Sequence, residues 1–168
     1  MLIVDLGRLE REGRVRVREE LGPDDPIWSG LEFRWAEPVQ VELEAQQVLR
    51  DVLVQGTVKG VVAHECRRCL EPVTVRVAEN LSMFFQADVP EEQAEAEEVY
   101  ALPERGDLDL APAVREQVAL AVPQFALCRE DCRGLCPKCG RNLDEGDCDC
   151  ETEEVDDRWA ALRRINFE

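Results

Sequence analysis

The residues best equipped to do chemistry are eight cysteines, spaced Cys66-x2-Cys69, Cys128-x3-Cys132-x3-Cys136-x2-Cys139 and Cys148-x-Cys150. Each C-x2-C pair has the reach of a zinc knuckle, a tight turn that presents two thiolates to one ion at about 2.3 Å. The second reads CPKCG, with Pro137 shaping the turn and Gly140 letting the backbone fold back beneath the ion. Eight thiols divide into two tetrahedral four-thiolate sites with none left over. If neighbouring pairs stay together, the pairs can be grouped in more than one way. The preferred grouping joins Cys136, Cys139, Cys148 and Cys150 as a compact ribbon and leaves Cys66, Cys69, Cys128 and Cys132 for a second ion. A single zinc held by one of these sets stays open.

The competing uses of the thiols are weaker. A disulfide framework belongs to oxidising compartments, and no secretory segment is expected: Met1–Leu6 is apolar but is broken by Asp5 and followed by charges. A thioredoxin-like redox pair needs a helix behind it, and Pro72 follows Cys69 too soon. Closed all-thiolate sites are structural, because catalytic zinc keeps a position open for water and usually includes His or a carboxylate. The single histidine, His64, lies two residues before Cys66 and reads as a strand-surface residue rather than a ligand. There is no phosphate-cradling Gly-rich loop, no G-x-S-x-G elbow and no HExxH. The chain is therefore not expected to be an enzyme.

Charge narrows the partners. Against 37 acidic residues stand 20 basic ones, a formal charge of −17 over 168 residues, and eight thiolates on two Zn2+ would deepen it by about four. A body this acidic is repelled by phosphate backbones, so its natural partner is a basic protein, and RNA contact must come from a local patch. Two candidate patches exist. Arg67 and Arg68 lie inside the first knuckle, with Lys138 and Arg141 in and beside the second; knuckles holding basic residues rigidly can grip RNA, although such arginines can equally offset thiolate charge. Arg14, Arg16 and Arg18 share one face of a strand, where cross-strand pairing with Glu42 and Glu44 is favoured over an anion ladder.

These sites need elements to position them. Residues 38–86 read as half-buried antiparallel strands: Val39, Val41 and Leu43 alternate with polar partners, followed by Val52 and Val54, Val58 and Val62, Val73, Val75 and Val77, then Leu81, Met83 and Phe85. Gly56 and Gly60 suggest a bulge or tight bend. Residues 87–107, with Glu91, Glu92, Glu95, Glu97 and Glu98, read as a mobile, solvated acidic loop. A helix is predicted from about Leu108 to Val122, capped by Asp107 or Asp109, with Pro112 in its first turn, one stripe of Leu110, Val114, Val118 and Val122, and Pro123 as its stop. A last helix, about Asp156 to Ile165, sets Val155, Trp159 and Leu162 on one side.

HECRRCLEPV at 64–73, ALAVPQFALC at 119–128, and CRGLCPKCGRNLDEGDCDC at 132–150 followed by DRWAALRRI resemble the YceD-type family of large-ribosomal-subunit RNA accumulation proteins. The likeness runs from the first strands to the final helix. Two departures stand out, Asp144 where the family often has Asn and Asp157 where it often has Pro; neither removes a thiol. The resemblance implies a role in synthesis, processing or stability of the large (23S) ribosomal RNA, without known catalysis.

The expected fold is α+β: an antiparallel β-sheet with a packed helix and a C-terminal cysteine-rich zinc-ribbon-like module. The core domain would be 1–127 and the zinc module with its helix 128–168. The expected function is a non-catalytic, monomeric, cytoplasmic ribosome-biogenesis factor with one or two structural Zn2+, binding a basic ribosomal or RNA-processing protein and no membrane. Its rivals are a zinc-ribbon adaptor of the transcription machinery and a redox-sensing zinc switch.

Overall fold

A computed structural model describes residues 1–89 and 99–150. All five glutamates of the expected run and the whole expected final helix lie outside the described residues.

The period-two valines build three long strands, β4 (Val39–Val48), β5 (Asp51–Glu65) and β6 (Pro72–Gln86), each antiparallel to the next. Before them come β1 (Ile3–Asp5), a short helix α1 (Leu6–Glu12), β2 (Arg14–Leu21) and β3 (Arg34–Trp35); after them come β7 (Tyr100–Ala101), β8 (Asp107–Asp109) and α2 (Ala111–Ala121). The main sheet runs β2-β4-β5-β6-β7, with β3 also on β5, and β1 pairs with β8 in a small second sheet. All these strand pairings are antiparallel except β6 with β7. The α+β class is as expected. Alternation does what side-chain geometry requires: Val39, Val41, Val54, Val58 and Val62 are fully buried on one face, while their neighbours Gln40, Glu42, Gln55, Lys59 and Ala63 face outward.

Helix α2 closes the buried face. Leu110, Val114 and Val118 are completely buried and Val122 nearly so, the stripe that sequence spacing predicts. Burying each such side chain contributes about 1.5–3 kcal/mol. The helix starts later than expected, because Asp107–Asp109 is drawn into a strand against Ile3–Asp5. Asp109 still serves the start of the helix, accepting the Ala111 N–H at 2.9 Å. The segment expected as one loop likewise contains β7, whose Tyr100 lies beside Phe85.

Three further local expectations need correction or report. Gly56 and Gly60 make no bulge, since β5 keeps continuous register with β6 through both, and with β4 through Gly56. They are glycines because of close approach: a Cβ at Gly60 would sit 2.6 Å from the Trp35 ring, and one at Gly56 would overlap the Glu42 carbonyl. His64 is not on the open surface; it is half-buried on β5, with Nε2 buried. On β2, Arg16 pairs with Glu44 at 2.7 Å, Arg14 with Glu44 at 3.2 Å and Arg18 with Glu42 at 3.7 Å, the cross-strand arrangement favoured from sequence.

Candidate metal centre

Strands β5 and β6 are joined by a turn that contains the first knuckle. The Cys66 N–H donates to the Glu71 carbonyl at 2.8 Å and the Leu70 N–H returns to the Cys66 carbonyl at 2.8 Å. The second knuckle repeats this pattern. The Cys136 N–H donates to Arg141 O at 2.8 Å, and Gly140 N–H to Cys136 O at 2.9 Å. The residue after the second cysteine is left-handed in both, Leu70 at φ 62° and Gly140 at φ 71°. Glycine takes that conformation at no steric cost; leucine does not.

The chain leaving α2 then runs back past the first knuckle. Ala126 bridges Cys66 in parallel, and the Arg67 N–H donates to Ala126 O at 3.0 Å. This brings Cys128 and Cys132, from far along the sequence, over Cys66 and Cys69. Sγ of Cys66 lies 3.8 Å from Sγ of Cys132, and Sγ of Cys69 lies 3.7 Å from Sγ of Cys128. Those separations match the edge, about 3.8 Å, of a tetrahedron whose corners lie about 2.3 Å from a central ion. They are far beyond the roughly 2.05 Å of a disulfide. Cys136, Cys139, Cys148 and Cys150 form the other set, and within each set the four sulfurs lie within 4.8 Å of one another. Each set can hold one metal ion through four thiolates. These sets match the preferred grouping, a compact ribbon and the four thiols it leaves.

The electrostatics of the sets suit a cation. The Cys128 N–H, then those of Cys69 and Arg68, point at Cys66 Sγ and hold its thiol down to about 6. The N–H groups of Cys139 and Lys138 hold Cys136 down to about 6 in the same way. The partners move oppositely: burial pushes the Cys128 and Cys132 thiols up, and hydrogen bonding to Cys139 pushes Cys150 up to about 12. One thiolate per set thus forms readily and resists the ionisation of its neighbours. A divalent ion at the centre removes that resistance, and all four can ionise together.

Side chains that sequence reasoning assigned elsewhere, or missed, support this frame. Nη1 of Arg68 donates to Cys132 O at 2.8 Å and to Glu130 O at 3.2 Å, so this guanidinium ties the two halves of the first set. Arg141 donates to Asp147 O at 3.1 Å inside the second set. Arg67 stacks on the exposed Phe125 ring at 5.4 Å, and Lys138 is exposed. Arg67 and Arg68 therefore belong to one set, Lys138 and Arg141 to the other. Asp144 links the sets: its carboxylate accepts the Arg133 N–H at 3.1 Å and pairs with Arg129. Nothing in local spacing announces that Asp144 reaches back to residues 129–133. His64 belongs to neither set.

A family model described as large ribosomal RNA subunit accumulation protein YceD matches residues 54–166. The chain belongs to the YceD family. The YceD match begins inside β5 and contains all eight cysteines, leaving β1 to β4 before it. An uncharacterized protein of Mycobacterium tuberculosis is 32% identical over 166 residues, covering 96% of this chain and 79% of that protein. One from Mycobacterium leprae is 34% identical over 118 residues, 68% of this chain and 54% of its own length. The chloroplastic YCED homolog 1 of Arabidopsis thaliana, named a large ribosomal RNA subunit accumulation protein, is 26% identical over 155 residues, 76% of this chain and 48% of the plant protein. No solved structure matches the chain. Among the described residues, no helix is long and apolar enough to cross a membrane.

Proposed function

We propose that this chain is a non-catalytic factor in the synthesis, processing or stability of large-subunit (23S) ribosomal RNA, and hence in ribosome assembly, built around two structural Zn2+ ions. The observation that carries the reading is a family match, to proteins described by large ribosomal RNA subunit accumulation, that spans every cysteine of both four-thiol sets. Zinc suits four thiolates at this spacing, and a closed shell of four thiolates leaves no position for a reacting water. The metal's task is then shape. Cys66, Cys69, Cys128 and Cys132 fasten a module of residues 128–168 to a core of residues 1–127, and Cys136, Cys139, Cys148 and Cys150 fold that module locally.

The factor works in the bacterial cytoplasm as a monomer. Its charge of −17 suits a basic ribosomal or RNA-processing protein. Of the four cations at the knuckles, Arg67 and Lys138 are the ones left for local RNA contact, because Arg68 and Arg141 are engaged with backbone carbonyls. Depleting the protein and measuring precursor and mature large-subunit RNA tests the reading. The expected result is loss of mature 23S RNA and of large subunits; unchanged RNA and subunit profiles would refute it.

A further inference from the structure

The long strands have a second face, turned away from the core, and its composition departs from that of the chain. The outer row of β6 runs Pro72, Thr74, Arg76, Ala78, Asn80, Ser82, Phe84 and Gln86, without a carboxylate. The outer row of β5 has Asp51 and Glu65 at its two ends and none between, where Lys59 sits at the middle. In a chain with 37 acidic residues this is the conspicuous gap.

Register places the cations. Arg34 of β3 lies opposite Ala63, which lies opposite Thr74; Lys59 lies opposite Ala78; Arg76 lies opposite Val61. Directly opposed residues of antiparallel strands point to the same face, so Arg34, Lys59 and Arg76 share one surface across three strands. All three are exposed and, among the described residues, none makes an ion pair. Strand spacings of about 4.8 Å across and 3.3 Å along put the members of the trio about 8–14 Å from one another. On the β2 side, Glu42 and Glu44 are already neutralised by Arg14, Arg16 and Arg18, leaving Glu20 beyond them. Carboxylates on other surfaces count for little here, since the Debye length is about 8 Å in physiological salt.

We propose that this outer sheet face is a polyanion-binding surface that takes the phosphate backbone of single-stranded or irregular RNA on Arg34, Lys59 and Arg76. The choice of RNA among polyanions rests on the function proposed above; the surface itself rests on charge and register. Ala78 opposite Lys59 lets a strand lie flat beside the cations, and Asn80 and Gln55, further along the same face, supply hydrogen bonds without a like charge.

The test measures fluorescence anisotropy of a labelled 12-nucleotide single-stranded RNA of mixed sequence against the full-length, zinc-loaded protein over a salt series. Each phosphate contact to a single strand contributes about 0.7 to the slope of log affinity against log salt. Arg34→Gln/Lys59→Gln/Arg76→Gln should therefore lower the slope by about 2 and weaken binding roughly 50-fold at 0.15 M salt. A charge-matched control off this face, Arg8→Gln/Arg11→Gln/Arg105→Gln, should change neither. Equal weakening by both variants, unchanged binding by the first, absence of RNA binding, or selective binding of poly-glutamate over RNA would each overturn the proposal. Ultraviolet crosslinking of RNA to the unmodified protein guards against a misfolded variant: crosslinks should map to β5 and β6, and crosslinks confined elsewhere count against the surface. Failure here is distinct from failure of the ribosomal role. If depletion impairs 23S RNA and a triple variant with undiminished RNA affinity restores it, the role stands and this surface falls.

Discussion

The two knuckles share a hydrogen-bonded turn and are put to opposite uses. The CRRCL knuckle grows out of the longest hairpin of the sheet, its Cys66 is completely buried, and its partners arrive from beyond α2. The CPKCG knuckle finds its partners within the same short stretch of chain; Cys136 is buried, but Cys139 is exposed and Cys148 and Cys150 are half-buried. A thiolate set that closes a long loop restricts the unfolded chain and couples two parts of the fold, whereas one that closes a short loop shapes only its own segment. With an ion in each set, the same motif would be a long-range staple in one place and a local fold-maker in the other.

The largest expected effect breaks the staple. Cys66→Ser should lose one zinc and lower the Tm by about 10 °C or more, as loss of a structural metal does in a domain of this size. Cys148→Ser should also lose one zinc but move the main transition by about 2 °C or less, with the damage confined to residues 136–150 in hydrogen exchange. Equal Tm losses would erase the distinction. Next comes Arg68→Ala, which removes the two bonds to Cys132 O and Glu130 O. It should cost about 1–2 kcal/mol in thermal or urea unfolding and speed chelator removal of the first zinc, leaving the second untouched.

A smaller effect concerns Asp144, which couples the sets. The Arg133 N–H, aided by Arg129, holds its carboxyl below the usual carboxylate range. A depressed folded value means that the ionised form is favoured by folding. The stabilisation is therefore complete above about pH 4 and is lost as pH falls through the folded value. Asp144→Asn should be less stable than the parent at pH 7, with the gap between their melting curves constant down to about pH 5 and closing below about pH 4. The smallest effect is Leu70→Gly. It relieves a left-handed leucine, worth about 1 kcal/mol, against glycine's larger backbone entropy, so the net change should stay within about 0.5 kcal/mol by urea unfolding.

What is legible in the sequence follows the range of the interactions involved. The alternation of Val39, Val41, Leu43 and Val52, Val54 and the stripe of Leu110, Val114 and Val118 are local signals, and each lies on the buried face. The second cysteine set is local too, and its spacing alone favours it. Helix α1 escapes a sequence reading because it is only seven residues, LGRLERE, with a glycine near its start; its one cue is Asp5, which accepts the Arg8 N–H. The late start of α2 is hidden because Leu108 answers to Val4, its strand partner from near the start of the chain. The glycines of β5 read as bends because nothing nearby shows that Trp35 and Glu42 must come so close. Arg68 reads as a ligand-facing cation, and its carbonyl partners lie more than sixty residues downstream.

The central claim, that eight thiols form two separate zinc sites, is tested most directly by native mass spectrometry of the full-length protein purified under reducing conditions. The account predicts a single dominant species carrying two zinc ions. A metal-free species eight hydrogens lighter, as four disulfides would produce, or a species saturating at one zinc, would contradict it.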